Sequence, residues 1–359
     1  MKKFLHELSF TGKILLGLLL FLIVIRIFIP YGVKRGLNYY LANKIESYEG
    51  HIADLDLSLW RGAYQIEGLR LWKKGSNQND PLIAVREIDL SLAWRALFKG
   101  EILGDLRVTQ LNLQFTDSKS EEKKQNGTDE KGWNEVIQKL IPISIESAKC
   151  MECQVHFVNR DFKAPIDVVA DQLELSAFNM RNVDSKNEIL PSTFRLTGRF
   201  QGDSNFRFAG KFNALADPMA FNIDADMKDF TLEKLNPFLL VYGPFTFAKG
   251  KLSIYAETAT KDGKIKGYVK PFLDNVKMVK NEEKFISFKH GTYEFVLGAA
   301  NLLFRSSEKD VATKVEFEGP IKSPDINIWG AVKTAFKNGF GQPLDKGVEH
   351  SIGIKDVPK

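Results

Sequence analysis

Cysteine is nearly absent from this chain: two in 359 residues, both in the run "KCMEC" at Cys150 and Cys153. A structural zinc site needs a second ligand pair, and a thioredoxin-like redox motif needs a βαβ context; neither surrounds them. The flanking "IESAKCMECQVHFV" reads as strand, turn, strand, which sets both sulfurs at a turn. An oxidising compartment would permit a local disulfide without requiring one. Histidine is almost as scarce. His6, His51, His156, His290 and His350 are scattered and form no H-x-x-x-H pair. No G-x-S-x-G, phosphate loop or dinucleotide fingerprint occurs. Asp54-x-Asp56-x-Ser58 starts like a calcium loop but has Leu59 at position six and Gln65 at position twelve, so it fails. The expectation is a protein that is not an enzyme, with no catalytic residues, no metal and no cofactor.

An excess of one charge is also missing. Fifty basic residues face 45 acidic ones, a net charge of +5, too mild to argue for nucleic acid. Long apolar runs are missing with one exception, "ILLGLLLFLIVIRIFI" at 14–29, whose only charge is Arg26. The window from Phe10 to Val33 is long enough to cross about 30 Å of hydrocarbon. Arg26 lies near its far end, where its stem can carry the charge to the interface. No A-x-A pattern follows, so the segment reads as an uncleaved anchor rather than a signal peptide. Leu15, Leu18, Leu19, Leu22, Ile25 and Ile29 are its lipid-facing candidates. Lys2, Lys3 and Lys13 precede it and Lys34 and Arg35 follow, so the positive-inside count does not orient it. Val33, Leu37, Leu41 and Ile45 then recur every four residues, one stripe of a juxtamembrane amphipathic helix.

Beyond residue 50 the chain alternates apolar and polar residues with a period of two, the pattern of a strand with one wet face. About sixteen candidate strands can be counted from alternation and turn signals. The first four lie near 51–60, 63–73, 81–93 and 101–116, and Lys261-Asp-Gly263 marks a hairpin. The apolar positions Phe194, Leu196, Phe206, Phe208, Phe212, Phe221, Ile223, Phe230 and Leu232 fall on one side. The chain holds 27 Phe against 9 Tyr and 5 Trp, and Phe suits a lining that must stay apolar. Helices able to cover such a face are scarce. It must close into a sandwich or barrel, or remain a curved gutter filled by lipid chains; the alternation fits both.

Several segments together resemble the AsmA-like proteins, in the group catalogued as domain of unknown function 748. They are "IADLDLSLWRGAYQIEGLRLW" with "PLIAVREIDLSLAWRALFKGEILGDLRVTQLNLQF", then "CQVHFVNRDFKAPIDVVADQLELSAFNM", "LEKLNPFLLVYGPFTFAKGKLSIYAET" and "FEGPIKSPDINIWGAVKTAFKNGFGQPL". They cover most of the chain in the family's order. The resemblance implies a single-pass anchor in a Gram-negative inner membrane and a periplasmic body. It also implies a taco-like β-groove related to bridge-like lipid-transfer proteins, and a role in phospholipid movement or envelope homeostasis. The expected partners are membrane phospholipid and the inner membrane, with envelope proteins as further candidates. Sixteen strands extend only about 75–80 Å, short for a conduit across the periplasm. The alternative is an anchored structural or assembly factor for envelope proteins, with a closed β core.

The expected fold class is therefore mainly β: a transmembrane helix followed by an elongated antiparallel groove with short helices at its ends. The expected parts are a cytoplasmic tip and anchor (1–31), the juxtamembrane helix (32–50), an N-terminal β region (51–116) and a polar linker (117–132). A groove body (133–324) that opens on a short helix at 133–140, and a C-terminal helix with tail (325–359), complete the chain. In the last, Trp329, Val332, Phe336 and Phe340 follow helical spacing. That helix reads as a cover for the last sheet edge, with an end cap or a membrane contact as the alternative.

Overall fold

The computed structural model describes residues 10–45, 48–58, 62–92, 103–116, 144–159, 166–180, 189–213, 218, 220–243, 245–280, 311–321, 325–326 and 344–358. The linker 117–132, the helix expected at 133–140 and the C-terminal helix residues Trp329, Val332, Phe336 and Phe340 lie outside them. Fifteen strands occur among the described residues, and every pairing whose register is described is antiparallel. The chain divides into two units, Met1–Asn112 and Leu113–Lys359.

Unit 1 begins with one helix, α1 (Phe10–Asn43), that runs through Pro30 without a break. The anchor and the juxtamembrane helix expected as separate pieces are thus continuous. Over the described residues alone, no helix is long and apolar enough to cross a membrane. The side chains of Leu15, Leu22 and Ile25 lie outside the described set, while Leu18, Leu19 and Ile29 are exposed. The second half of α1 packs on β1 (Tyr48–His51) and β2 (Asp54–Ser58). Leu41, Ile52 and Leu55 are buried together, with Leu37 and Ile45 against them; Val33 of the same stripe is exposed. Asn38 fixes the docking by acting as a strand partner. Its Oδ1 accepts from the Ile52 N–H at 2.7 Å and its Nδ2 donates to the Ile52 carbonyl at 3.2 Å. β1 and β2 both pair with β3 (Ala63–Lys73), followed in order by β4 (Ile83–Leu92) and β5 (Leu103–Thr116). These match the four expected strands, except that the first is split in two. The split falls at Ala53, whose Cβ lies 2.6 Å from where a side chain on Gly68 would begin; Gly68 has φ +62°.

Unit 2 holds β6 (Ser144–Asn159), β7 (Ile166–Met180), β8 (Ser192–Phe200), β9 (Ser204–Asn213) and β10 (Ala220–Thr231). A 3-10 turn (Leu232–Leu235) and α2 (Asn236–Tyr242) follow, then β11 (Phe245–Lys261), β12 (Lys264–Lys280), β13 (Val311–Ala312), β14 (Val315–Pro320) and β15 (Asp325–Ile326). Neighbours in sequence are neighbours in the sheet, with β13 and β14 sharing the far side of β12. No pairing joins β6 to β15 among the described residues, so the sheet is not closed. The β11–β12 hairpin turns at Asp262 and Gly263 (φ 50° and 75°), as its sequence requires.

The expected turn at Cys150–Cys153 is a bulge instead. β6 continues through it, Glu152 takes φ 54°, and the two cysteines are bonded across it. Similar register shifts occur in β7 beside Gln172, in β10 beside Asp229 and in β11 beside Gly250. Each adds a residue to one strand and so bends it. Glycines on the apolar side let the strands crowd there. A Cβ on Gly210 would lie 2.1 Å from the Asn222 carbonyl oxygen, and one on Gly198 would meet only the tips of Leu173 and Phe206.

Gly210→Ala should therefore destabilise the protein by about 1–3 kcal/mol, because a backbone atom must give way. Gly198→Ala should cost less, since side-chain tips can move. Thermal melts of the two variants in detergent check the order.

Candidate functional site

The apolar side of unit 2 is continuous because register keeps it so. Cys150, Leu175, Leu196, Phe208, Ala225, Ala256, Val269 and Val315 stand opposite one another through eight strands. Directly opposite residues share a face, so this row is one apolar band. The next row carries Lys149, Ser176, Arg195, Ala209, Asp224, Glu257, Tyr268 and Glu316 on the other side.

Seven of the nine expected lining residues, Phe194, Leu196, Phe206, Phe208, Phe212, Phe221 and Ile223, lie on this apolar face. All are partly exposed, Phe208 at 39%. Phe194 meets Phe212 edge-on at 5.8 Å, and Phe206 meets Phe208 at 5.6 Å. Phe230 and Leu232 are placed differently, at 0% and 2% exposure. Phe230 stacks near Phe200 at 5.1 Å, and Leu232 joins Phe245, Phe247 and Val276 in a dry cluster packed by Leu235 and Leu239. The 3-10 turn and α2 thus cover one end of the apolar face. Asn236 holds α2 there, donating to the Phe247 carbonyl at 2.7 Å and accepting from its N–H at 2.8 Å. Phe238 reaches Phe157 of β6 at 6.2 Å. Sequence reading missed this helix, although Asn236-Pro237 at its start and Gly243 after its end are ordinary helix punctuation.

Over β11 and β12 the polar side is the one that is sealed. In β11 Ser253, Tyr255, Glu257 and Ala259 are buried, whereas Leu252, Ile254, Ala256 and Thr258 on the apolar side are only half-buried. The cover is the C-terminal tail, residues 344–358. The Glu257 carboxylate accepts the backbone N–H groups of His350, Ser351 and Ile352, the last two at 2.8 Å. Lys270, 1% exposed, reaches the Glu349 carboxylate at 3.1 Å and the Asp345 carbonyl at 3.2 Å. Tyr268 Oη accepts from the Glu349 N–H at 2.8 Å, and burial pushes the Tyr268 hydroxyl far above its ordinary pKa.

Asp224, Glu257 and His350 bring three ligand-type atoms within 4.8 Å of one another. Glu257 has its acceptor positions filled by the tail, however, and His350 Nδ1 lies 3.6 Å from the Asp224 carboxylate. That is a structural clamp, with little left for a metal. A cleft of about 720 Å³ near the β8–β9 turn is lined by Arg207, Asp226, Asp203 and Lys251, whose charges balance. Arg207 and Asp226 are paired at 2.7 Å. No protein-family model matches the chain, and no curated protein matches it.

Burial pushes the Glu349 carboxyl up, but hydrogen bonds and charges from Lys314 and Lys270 outweigh it and hold the pKa below its ordinary 4.5. A depressed folded-state pKa stabilises above the unfolded value and stops doing so as pH falls through the folded one. Asp224 acts oppositely: burial and the Glu257 charge raise it, against His350 and Arg207, so its repulsion eases as pH falls. Hydrogen exchange should find the amides of 350–352 protected at neutral pH and less so below about 4.5. Glu257→Ala, which removes the acceptor of three part-buried N–H groups, should expose them at neutral pH as well. Unchanged protection in that variant would show the clamp to be incidental.

Proposed function

We propose that this is a non-enzymatic, membrane-anchored protein that binds lipid chains on its apolar β face and acts in phospholipid movement or envelope homeostasis, its body in the periplasm. The observation that carries this reading is the inversion of cover. The polar side of β11 and β12 is closed by the tail, while the apolar band stays partly exposed over most of its length, Phe208 at 39%, with a dry cluster at the α2 end and Val315 buried. Soluble monomers rarely leave so large an apolar face open. A lipid chain has the chemistry to fill it, since it asks for no hydrogen bonds. Nine neighbouring strands give about 40 Å of face, more than the roughly 15 Å one acyl chain spans in a leaflet, so there is room for several lipids.

The anchor rests on the run 14–29 and on α1, where Ile14, Leu18, Leu19, Phe21 and Phe28 are all more than half exposed. Tyr31, Tyr39 and Tyr40 follow, also exposed, with Lys34 and Arg35 among them, the residues favoured at a membrane interface. The Cys150–Cys153 bond fits an oxidising compartment. The resemblance to AsmA-like proteins supports the same reading. A closed-core assembly factor is the weaker alternative, because the unit 2 sheet is open.

Two experiments test this. Detergent-extracted protein should carry phospholipid in native mass spectrometry, and Phe208→Asp should lose most of it with little change in melting. The side chain is already 39% exposed and gives up only part of the about 1.5–3 kcal/mol of a buried Phe. A folded, lipid-free wild type overturns the reading. Separately, alkaline phosphatase fused after Lys359 should be active and a cytoplasmic fluorescent reporter dark; the reverse pair refutes the compartment.

A further inference from the structure

Several cations on the polar side of unit 2 are answered. Arg199 pairs with Asp171 at 2.9 Å, Arg207 with Asp226 at 2.7 Å, and Lys270 and Lys314 with Glu349 at 3.1 and 2.8 Å. Three at the other end of β6–β9 are not. Lys149, Arg195 and Lys211 are exposed, and none has an ion-pair partner among the described residues. Register puts them on one face. Lys149 stands opposite Ser176, which stands opposite Arg195; Lys211 stands opposite Thr193, two residues from Arg195. Strand spacing sets Lys149 about 10 Å from Arg195, with Lys211 on the diagonal at about 7–8 Å. Glu174, exposed and diagonal to Arg195, is the nearby acid on this side among the described residues; Asp224, in line with Arg195 two strands on, lies 3.6 Å from His350 Nδ1.

Two apolar side chains stand among these cations. Phe178, opposite Thr193 on the polar side, is 43% exposed. Ile189 is 53% exposed, and Asn213 Nδ2 holds it beside the end of β9 by donating to its carbonyl at 3.2 Å. The apolar band lies on the opposite side of the sheet, so neither residue belongs to it.

We propose that this patch docks on the surface of an anionic bilayer, a second membrane contact separate from α1 and from the lipid-binding face. The three cations come from three strands and form neither a pocket nor a bidentate fork, so they offer no fixed pattern for a carboxylate-bearing protein to match. Laterally mobile lipid headgroups need no fixed pattern. An exposed ring and an exposed aliphatic between basic residues are what an interface accepts, the apolar groups entering and the charges staying at headgroup level.

The test uses the full chain, reconstituted through α1 into nanodiscs of neutral phosphatidylcholine. Wild type should capture vesicles rich in phosphatidylglycerol, ignore vesicles of phosphatidylcholine alone, and release them as salt rises. The triple variant K149Q/R195Q/K211Q should bind about a hundredfold more weakly, roughly fivefold per cation, with unchanged melting. Phe178→Ser should weaken capture of the same vesicles. Phe208→Asp should leave capture intact, so failure of the lipid-binding reading and failure of this one are distinguishable. Equal capture of neutral vesicles, no capture by folded wild type, or an unaffected triple variant each overturns the proposal; absence of capture would turn attention to an acidic protein partner.

Discussion

Everything in unit 2 depends on register. Two adjacent rows of residues cross the same eight strands, one running from Cys150 to Val315 and the other from Lys149 to Glu316. The first contains no charged or hydrogen-bonding side chain, while the second carries both signs of charge. A slip of one residue onto the neighbouring row would put Lys149, Arg195, Asp224, Glu257 or Glu316 into the apolar band and an apolar group on the polar side. The penalty for that mistake pins each strand. Bulges at Glu152, Gln172 and Asp229 bend the sheet and add a residue locally, and the bands continue on both sides of them.

Stability and proposed function then fall on opposite sides of one sheet. The side built to be wet gains its order from a tail that buries Glu257, Tyr268 and Lys270 in a mutually satisfied network. Buried charges are tolerable there because each meets donors or an opposite charge. Among the described residues the apolar side has no matching tail, and Phe208 there stays 39% exposed.

The two α-helices among the described residues attach by the same device. Asn38 of α1 and Asn236 of α2 each satisfy the N–H and carbonyl of one strand residue, Ile52 and Phe247, with a single amide side chain. An amide matches a peptide group in donor and acceptor, so it docks a helix to a strand without leaving backbone groups orphaned. Apolar contacts then fix the rest: Leu41 on Ile52 and Leu55 in unit 1, Leu239 on the Leu232–Phe247 cluster in unit 2.

The strands, their order along the chain and the faces of their side chains were legible in the sequence, because a period of two is a local property. Phe194, Leu196, Phe206 and Phe208 could be assigned to one side without any tertiary information, and so could the stripe from Leu37 to Ile45. Openness was not legible, since a closed barrel and an open sheet need the same alternation. Nor was the bulge at Cys150–Cys153 distinguishable from a turn, because both interrupt alternation in the same way. The tail was invisible because its contacts to Glu257 run through backbone N–H groups, which every residue but proline has. Phe230 and Leu232 continue the apolar pattern of Phe221 and Ile223, and only tertiary contacts, Phe200 for Phe230 and the cluster under α2 for Leu232, decide that the first two are dry while the second two stay partly exposed. Alternation says which way a side chain faces; what lies on that side is decided by segments distant in sequence.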